Sequence, residues 1–178
     1  MSRNIEIKAR VSDMAALTSR ARSIATEGPV EISQDDTFFH CKNGRLKLRQ
    51  FSADRGQLIF YKRQDQAGPK ESFYLLNETS DPDTLRQTLE HAYGVHGQVT
   101  KQRTLYLVGR TRVHLDVVER LGDFMELEVV LTETDTVAEG EAEAMALMKR
   151  LEIKPADLID CAYVDLLGLV GTKSTGNF

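Results

Sequence analysis

Hydrophobic and polar residues alternate with a period of two along most of the chain. Because successive side chains of a β-strand point to opposite faces, this alternation predicts strands. Eight segments follow it, at residues 4–11, 35–41, 46–51, 57–62, 72–78, 101–108, 112–118 and 124–132. Short polar linkers such as Lys42-Asn43-Gly44 suit hairpin turns between neighbouring segments. The pattern therefore predicts a largely antiparallel sheet or barrel.

Four shorter stretches have apolar residues at the spacing of an amphipathic helix. The first follows Ser12, a suitable N-cap, and is stopped by Gly28-Pro29. The second opens with Asp81-Pro82, a cap with proline at the first helical position, and ends at Gly94. The third covers residues 139–151, and a short fourth covers residues 163–169.

The polar positions of the predicted strands favour full charges over Ser, Thr, Asn or Gln. Arg45, Lys47 and Arg49 alternate with leucines, while Glu126 and Glu128 alternate with other apolar residues. Like charges two positions apart on one face repel, so each cluster is better explained if a bound partner neutralises it. A phosphate chain suits the cations, and a hard ion such as Mg²⁺ or Mn²⁺ suits the carboxylates.

The predicted polar face is net basic, although the whole chain has 23 Lys and Arg against 27 Asp and Glu. Its cations are Lys8, Arg45, Lys47, Arg49, Lys62, Lys70, Lys101 and Arg103. Its acids are Glu6, Glu78, Asp116, Glu126 and Glu128. The ordinary alternative is a solvated sheet face of mixed charge. Segregation of positive and negative residues onto different strands favours a metal-dependent site for a di- or triphosphate. The sequence contains no P-loop that could bind the phosphates instead.

Composition narrows the function classes further. The mild net acidity argues against binding of duplex nucleic acid, which needs a basic surface. Cys41 and Cys161 have neither metal-ligand nor disulfide spacing, which favours reduced thiols in a cytoplasmic protein. No apolar run is long enough for a membrane span, so no membrane partner is expected. We expect one domain at residues 1–171 and a flexible tail at 172–178. The oligomeric state stays open.

Six segments, in order, resemble the CYTH domain, the triphosphate tunnel enzymes. This family includes class IV adenylyl cyclases, thiamine triphosphatases and inorganic triphosphatases. The segment NIEIK at residues 4–8 resembles the family's amino-terminal Glu-x-Glu-x-Lys signature. The others are GRLKLR at 44–49, YKR at 61–63, KQR at 101–103, LD at 115–116 and LGDFMELE at 121–128. The resemblance covers residues 3–168, and DQAGPKES at 65–72 and AYVDLL at 162–167 are closer to the class IV cyclase branch.

The resemblance implies an α+β fold, in which an eight-stranded antiparallel closed barrel forms the tunnel and helices pack outside. It implies that the charged face lines the tunnel. The triphosphate would be bound by Lys8, Arg45, Lys47, Arg49, Lys62, Lys101 and Arg103, with Lys70 as a weaker addition. Mg²⁺ or Mn²⁺ would be held by Glu6, Glu126 and Glu128, with Asp116 as a further ligand or an orienting group. The implied catalytic residues are Glu6, Lys8, Arg49, Glu126 and Glu128.

One position departs from the family pattern. Asn4 stands where the signature has its first glutamate. An amide oxygen ligates Mg²⁺ without contributing charge, so affinity for a second ion should fall.

The resemblance makes a class IV-type adenylyl cyclase the leading prediction, with ATP converted to cyclic AMP and pyrophosphate. A triphosphatase acting on thiamine triphosphate, inorganic triphosphate or nucleotides uses the same cations and carboxylates and is the nearest alternative. A non-catalytic triphosphate-binding module is the third, because a fold does not by itself determine function. The sequence does not name the base or organic group of the substrate.

Overall fold

Eight antiparallel strands close into a ring in the computed structural model, which describes the backbone of residues 2–173 and the side chains of residues 3–169. The strands are β1 Ser2–Arg10, β2 Glu27–Phe39, β3 Arg45–Ser52, β4 Arg55–Arg63, β5 Lys70–Thr79, β6 Val95–Val108, β7 Thr111–Val118 and β8 Gly122–Leu131. Around the barrel they follow the order β1-β5-β4-β3-β2-β6-β7-β8. Each pairs antiparallel with both neighbours, which confirms the predicted α+β barrel.

Two strands begin well before the alternation predicted. β2 starts at Glu27 and β6 at Val95, and the two pair along most of their length. The sequence Gly28-Pro29 predicts only a stop for the first helix, yet it lies within β2. This extension is a tertiary effect, since each strand supplies the hydrogen-bonding edge that the other needs.

The helices lie close to their predicted positions. They are α1 Met14–Ile24, α2 Pro82–Tyr93, α3 Val137–Arg150 and α4 Tyr163–Lys173. Asp13, rather than the predicted Ser12, caps α1, because its side chain accepts the backbone N–H of Ala16. Asp81 caps α2 as predicted. α3 begins two residues early, where Thr136 and Glu139 form a capping box.

The end of α4 overlaps the predicted tail. Residues 172 and 173 belong to the helix, and residues 174–178 of that prediction lie outside the described residues. No helix in the described range is long and apolar enough to cross a membrane.

Three helices cover the outer face of the barrel with apolar side chains. α1 and α3 bury the outward residues of β1, β6, β7 and β8, including Ile5, Ile7 and Leu127, each with 0% exposure. α2 covers Leu48 and Phe39 on the outer side of β3 and β2. Since one face of most strands is buried in this outer core, their alternating charged residues must face inward.

The fourth helix closes one end of the barrel. Ala162 and the α4 residues Tyr163, Val164 and Leu166 pack on Phe38, Val99, Val118 and Phe124, which lie where β2 and β7 end and β6 and β8 begin. The rings of Tyr163 and Phe124 pack in a T-shaped arrangement with their centroids 4.9 Å apart. We call this the closed end of the barrel.

Candidate functional site

The barrel interior contains a cavity of about 640 Å³. Its wall carries more positive than negative charge, as predicted for the polar face. Eight cationic side chains line it: Lys8, Lys47, Arg49, Arg55, Arg63, Lys101, Arg103 and Arg112. Five acidic side chains line it: Glu6, Glu31, Asp36, Glu126 and Glu128. Charge of this sign and density in a concave, partly dehydrated site is suited to a polyanion.

Most of the predicted site residues are brought together in this cavity. They are Glu6, Lys8, Lys47, Arg49, Lys101, Arg103, Glu126 and Glu128. Their positions follow directly from the alternation, because their apolar neighbours fill the outer core. Their catalytic, binding and metal-ligating roles stay predictions.

Lys62 is not among the cavity residues. It lies on the other side of β4 and is exposed, while the adjacent Arg63 points inward with 4% of its side chain exposed. Arg63 Nη1 lies 2.6 Å from Glu6 Oε1. The alternation of β4 runs through Tyr61 and Arg63, so predicting the inward cation at Lys62 was wrong by one residue.

Arg45 lies beyond the cavity, at the closed end. It lines a second cavity of about 380 Å³ and forms ion pairs with Asp65 at 3.0 Å and Asp165 at 2.8 Å. Asp165 belongs to α4, so Arg45 links the start of β3 to the helix that closes the barrel. The structure therefore separates Arg45 from the other predicted triphosphate-binding cations.

Lys70 is inward but turned away from the cavity. It is 2% exposed, and its Nζ donates to the backbone oxygen of Gln66 at 2.7 Å. Burial and the nearby Arg63 lower the pKa of Lys70 to about 8. The structure thus shows a backbone contact where a substrate contact was predicted.

Asp116 is completely buried behind the cavity wall. Its carboxylate accepts hydrogen bonds from Lys101 Nζ at 3.1 Å, Arg103 Nε at 2.6 Å and the Tyr163 hydroxyl at 3.0 Å. Burial alone would raise its pKa, but Arg103 and Lys101 hold the pKa at about 2. Of its two predicted roles, the geometry fits the orienting one, because its oxygen atoms are taken up by cations that face the cavity.

Glu126 occupies the centre of a second ion-pair group. It lies 2.8 Å from Lys8 Nζ and also pairs with Arg103. Burial alone would raise the pKa of Glu126, but Lys8, Lys101 and Arg103 hold it well below its usual range. The carboxylate is therefore ionised throughout the physiological pH range.

Five charged residues that line the cavity were missed by the sequence analysis: Glu31, Asp36, Arg55, Arg63 and Arg112. Asp36 is 1% exposed and accepts from Lys47 Nζ at 2.6 Å and Arg49 Nε at 2.7 Å. Arg112 Nε donates to Glu128 at 2.7 Å. Arg112 shares the alternation of His114 and was available from that pattern, whereas Arg63 lay just outside the predicted strand. For Asp36 the adjacent Asp35 made the inward residue ambiguous.

Two carboxylates and an amide oxygen lie on the cavity side of β1 and β8. Glu6 stands directly opposite Glu128 in the β1–β8 ladder, on the cavity side. Two positions earlier, Asn4 is 4% exposed and its Oδ1 has no hydrogen-bond partner. These oxygen donors fit a hard cation in chemistry and in backbone position.

The same carboxylates are committed to cations in this structure. Among the described residues, no three His, Cys, Asp or Glu side chains converge at one point. Glu6 is turned to Arg63, and Glu128 to Arg112. A divalent ion would therefore compete with these two arginines for the carboxylates.

Three solved structures share the fold. A protein of Pyrococcus horikoshii OT3 superposes with a TM-score of 0.81 at 24% identity, covering 92% of this chain and 98% of that chain. A protein of Vibrio parahaemolyticus described as a "putative adenylate cyclase" has a TM-score of 0.71 at 20% identity, covering 93% and 97%. A "putative adenylyl cyclase" of Hippeastrum, reported to have a dominant triphosphatase activity, has a TM-score of 0.64 at 16% identity, covering 94% and 96%.

Comparison of the sequence with curated proteins finds no match. The model of the CYTH domain family, in contrast, matches residues 2–163, which is nearly the whole chain and includes every strand of the barrel. The chain therefore belongs to the CYTH domain family, the triphosphate tunnel proteins.

Proposed function

We propose that this protein is a divalent-metal-dependent enzyme that acts on a triphosphate, with cyclisation of ATP as its leading reaction. One observation supports the proposal above all others. Eight cations and the carboxylates Glu6, Glu126 and Glu128 face one cavity that α4 closes at one end. No solvated sheet face needs such a concentration of buried charge, because burial of charge is costly unless it is used or compensated.

The cations are held in place before substrate arrives. Asp36 fixes Lys47 and Arg49, and Asp116 fixes Lys101 and Arg103. Guanidinium groups donate two parallel hydrogen bonds to phosphate oxygens, and ammonium groups act as point charges. Because these donors need little reorganisation, they stabilise charge that develops on a phosphate during phosphoryl transfer.

The predicted ligands of the metal ion are Glu6, Glu126 and Glu128, with the unpartnered Asn4 oxygen beside them. A bound Mg²⁺ or Mn²⁺ would neutralise phosphate charge and make the ribose hydroxyl a better nucleophile. Release of Arg63 from Glu6 and of Arg112 from Glu128 would free both guanidinium groups for phosphate oxygens.

In the cyclase reaction the ribose 3′-oxygen attacks the α-phosphorus and loses its proton to solvent. A new P–O bond closes the cyclic phosphodiester, and the bond between the α-phosphorus and the bridging oxygen breaks. Pyrophosphate leaves with the bonding electrons. Arg49 and Lys47 are suited to stabilise the charge on this leaving group, since both are held at the cavity wall by Asp36.

A triphosphatase is the second candidate. Water attacks the terminal phosphorus in that reaction, and the same cations and carboxylates serve it. The similar fold of the Hippeastrum protein with triphosphatase activity supports considering it.

The deciding experiment incubates the protein with ATP and either Mg²⁺ or Mn²⁺ and follows products by phosphorus NMR. Cyclic AMP with pyrophosphate supports the cyclase, and ADP with phosphate supports the triphosphatase. The Arg49→Gln variant should lose at least about tenfold in turnover, while Arg150→Gln, on the exposed end of α3, should not. Tight binding without products indicates the non-catalytic module. Failure to bind either ATP or tripolyphosphate would refute a triphosphate site.

A further inference from the structure

The cavity wall changes character at the end opposite α4. There β2 and β4 begin and β3 and β5 end, and these four strands are neighbours in the barrel. Four of their cavity-lining side chains at this open end are apolar, namely Val30, Ile32, Phe51 and Leu76, and they lie among the polar Glu31, Arg55 and Gln57. We call these four residues the apolar arc.

Two members of the apolar arc are exposed to an unusual degree. Val30 is 52% exposed and Leu76 is 53% exposed, although both line the cavity. Ile59, which is paired with Leu76 in the β4–β5 ladder, is only 7% exposed. Exposed apolar side chains that border a polar site are a common mark of ligand binding, because their contact with water is relieved when a ligand covers them.

The apolar arc adjoins the triphosphate-binding cations on one strand. Phe51 follows Arg49 by two residues on the cavity side of β3, which separates the two side chains by about 7 Å along the strand. A ligand that places phosphate oxygens at Arg49 therefore brings the group attached to its phosphate chain towards Phe51.

The chemistry of the arc favours a flat ring. The Phe51 ring is partly exposed, and the Arg55 guanidinium lies 5.0 Å from its centroid. Exposed aromatic rings and arginine planes are the surfaces on which bases stack. On the other side of the open end, Arg112 and Glu128 line the cavity with charge. The open end therefore offers one apolar side and one charged side to the organic group of a ligand.

From this arrangement we infer that the apolar arc binds the aromatic organic group of an organic triphosphate and selects such substrates over inorganic triphosphate. The inference rests on the proposed triphosphate site, to which it adds the substrate class. Tripolyphosphate carries no apolar surface, so it gains nothing from the arc.

Isothermal titration calorimetry with two kinds of ligand tests the inference. ATP, GTP, CTP and thiamine triphosphate are compared first with wild type, and the one that binds most tightly becomes the organic probe. Tripolyphosphate is the inorganic probe. The Phe51→Ala variant should weaken binding of the organic probe about tenfold and change tripolyphosphate binding less than about twofold.

β5 offers a matched pair of variants. Leu76 lines the cavity, while Leu75, exposed to a similar extent at 50%, does not. Leu76→Ser should weaken the organic probe and spare tripolyphosphate, whereas Leu75→Ser should leave both unchanged. Because both leucines are half exposed, neither change threatens folding, and thermal denaturation verifies this.

The two ways of failing are distinguishable. If wild type binds neither probe, the proposed triphosphate function fails. If wild type binds both probes and Phe51→Ala and Leu76→Ser leave their affinity ratio unchanged, the triphosphate site stands and the apolar arc has no part in selecting substrate.

Discussion

Asp36 holds Arg49 by two hydrogen bonds, one from Nε at 2.7 Å and one from Nη2 at 2.8 Å. The same carboxylate accepts from Lys47, so one buried acid is shared by two cations. An acid in this position contributes nothing favourable to a bound phosphate. Its role is to fix the direction of two cations and to keep them compatible with folding while the cavity holds no polyanion.

The Asp36→Asn variant should be destabilised by about 3 kcal/mol, because two buried cations lose their shared charge partner. Tripolyphosphate should then raise the melting temperature more in the variant than in wild type, since it replaces the missing negative charge. Thermal denaturation with and without tripolyphosphate measures both effects. Asp35→Asn, on the adjacent exposed position, is the control and should behave as wild type. An equal ligand-induced shift in both variants would contradict this role of Asp36.

Triphosphate binding should be coupled to proton uptake through Lys47. Burial and Arg49 lower the pKa of Lys47 to about 7, against the partial compensation of Asp36 and with Lys101 adding to the repulsion. A bound polyanion raises this pKa. Near pH 8.5 the Lys47 side chain of the ligand-free protein is mostly a neutral amine, so it must take up a proton when the triphosphate binds. Near pH 6 it is already protonated before binding.

Calorimetry in buffers of different ionisation enthalpy measures this uptake. The Lys47→Arg variant is the comparison, because arginine stays protonated throughout this range while Lys101 is retained in both proteins. The expected difference is about one proton at pH 8.5 and none at pH 6. Equal uptake by the two proteins at both pH values would show that Lys47 does not titrate on binding.

Variants of Arg63 and Lys62 compare the inward cation of β4 that the structure shows with the one that the sequence predicts. Arg63→Ala should weaken tripolyphosphate binding by about tenfold or more, because it removes a cation from the cavity wall. Lys62→Ala should change it less than about twofold at physiological salt, where exposed charges are screened within about 8 Å. The reverse order of effects would restore Lys62 as the binding residue.

Substitution of Glu126 should lower turnover without weakening triphosphate binding. Glu126→Gln keeps the shape of the side chain but removes a charge beside Lys8 and Arg103. Turnover should fall about 10²- to 10³-fold, while triphosphate binding without metal should stay as tight or become tighter. Binding of Mn²⁺, followed by electron paramagnetic resonance, should weaken as well. Glu71→Gln, on the exposed outer side of β5, is the matched control.

The prediction of which charged residues face inward was correct where a whole strand alternates between apolar and charged residues. In β3 the outward-facing Leu48 packs under α2, so the residues on either side of it, Lys47 and Arg49, must face the cavity. It failed at β4, where the predicted strand ended at Lys62 and left Arg63 out. Both faces of β4 carry apolar residues, such as Ile59 inside and Leu58 outside, so alternation alone did not identify the face that Lys62 occupies.

Distances between strands were beyond the sequence pattern. Asp116 and Glu126 alternate in the same way on adjacent strands, yet one is sealed behind the wall and the other lines the cavity. Arg45 shares the parity of Lys47 but lies past the closed end, where Asp165 of α4 pairs with it. These differences depend on position along the barrel and on where α4 packs, and neither is encoded in local periodicity.

The amino-acid sequence alone determined the strands, the faces of most charged residues and the excess of cations on one of them, because these follow from steric alternation and from burial of apolar side chains. Tertiary structure decided which charges meet. Closure of the barrel brought Glu6 to Arg63 and Asp36 to Arg49, α4 closed one end, and the longer β2 carried Val30 and Ile32 to the other. Such pairings depend on strand register and on contacts between residues far apart in the chain, which local sequence patterns do not specify.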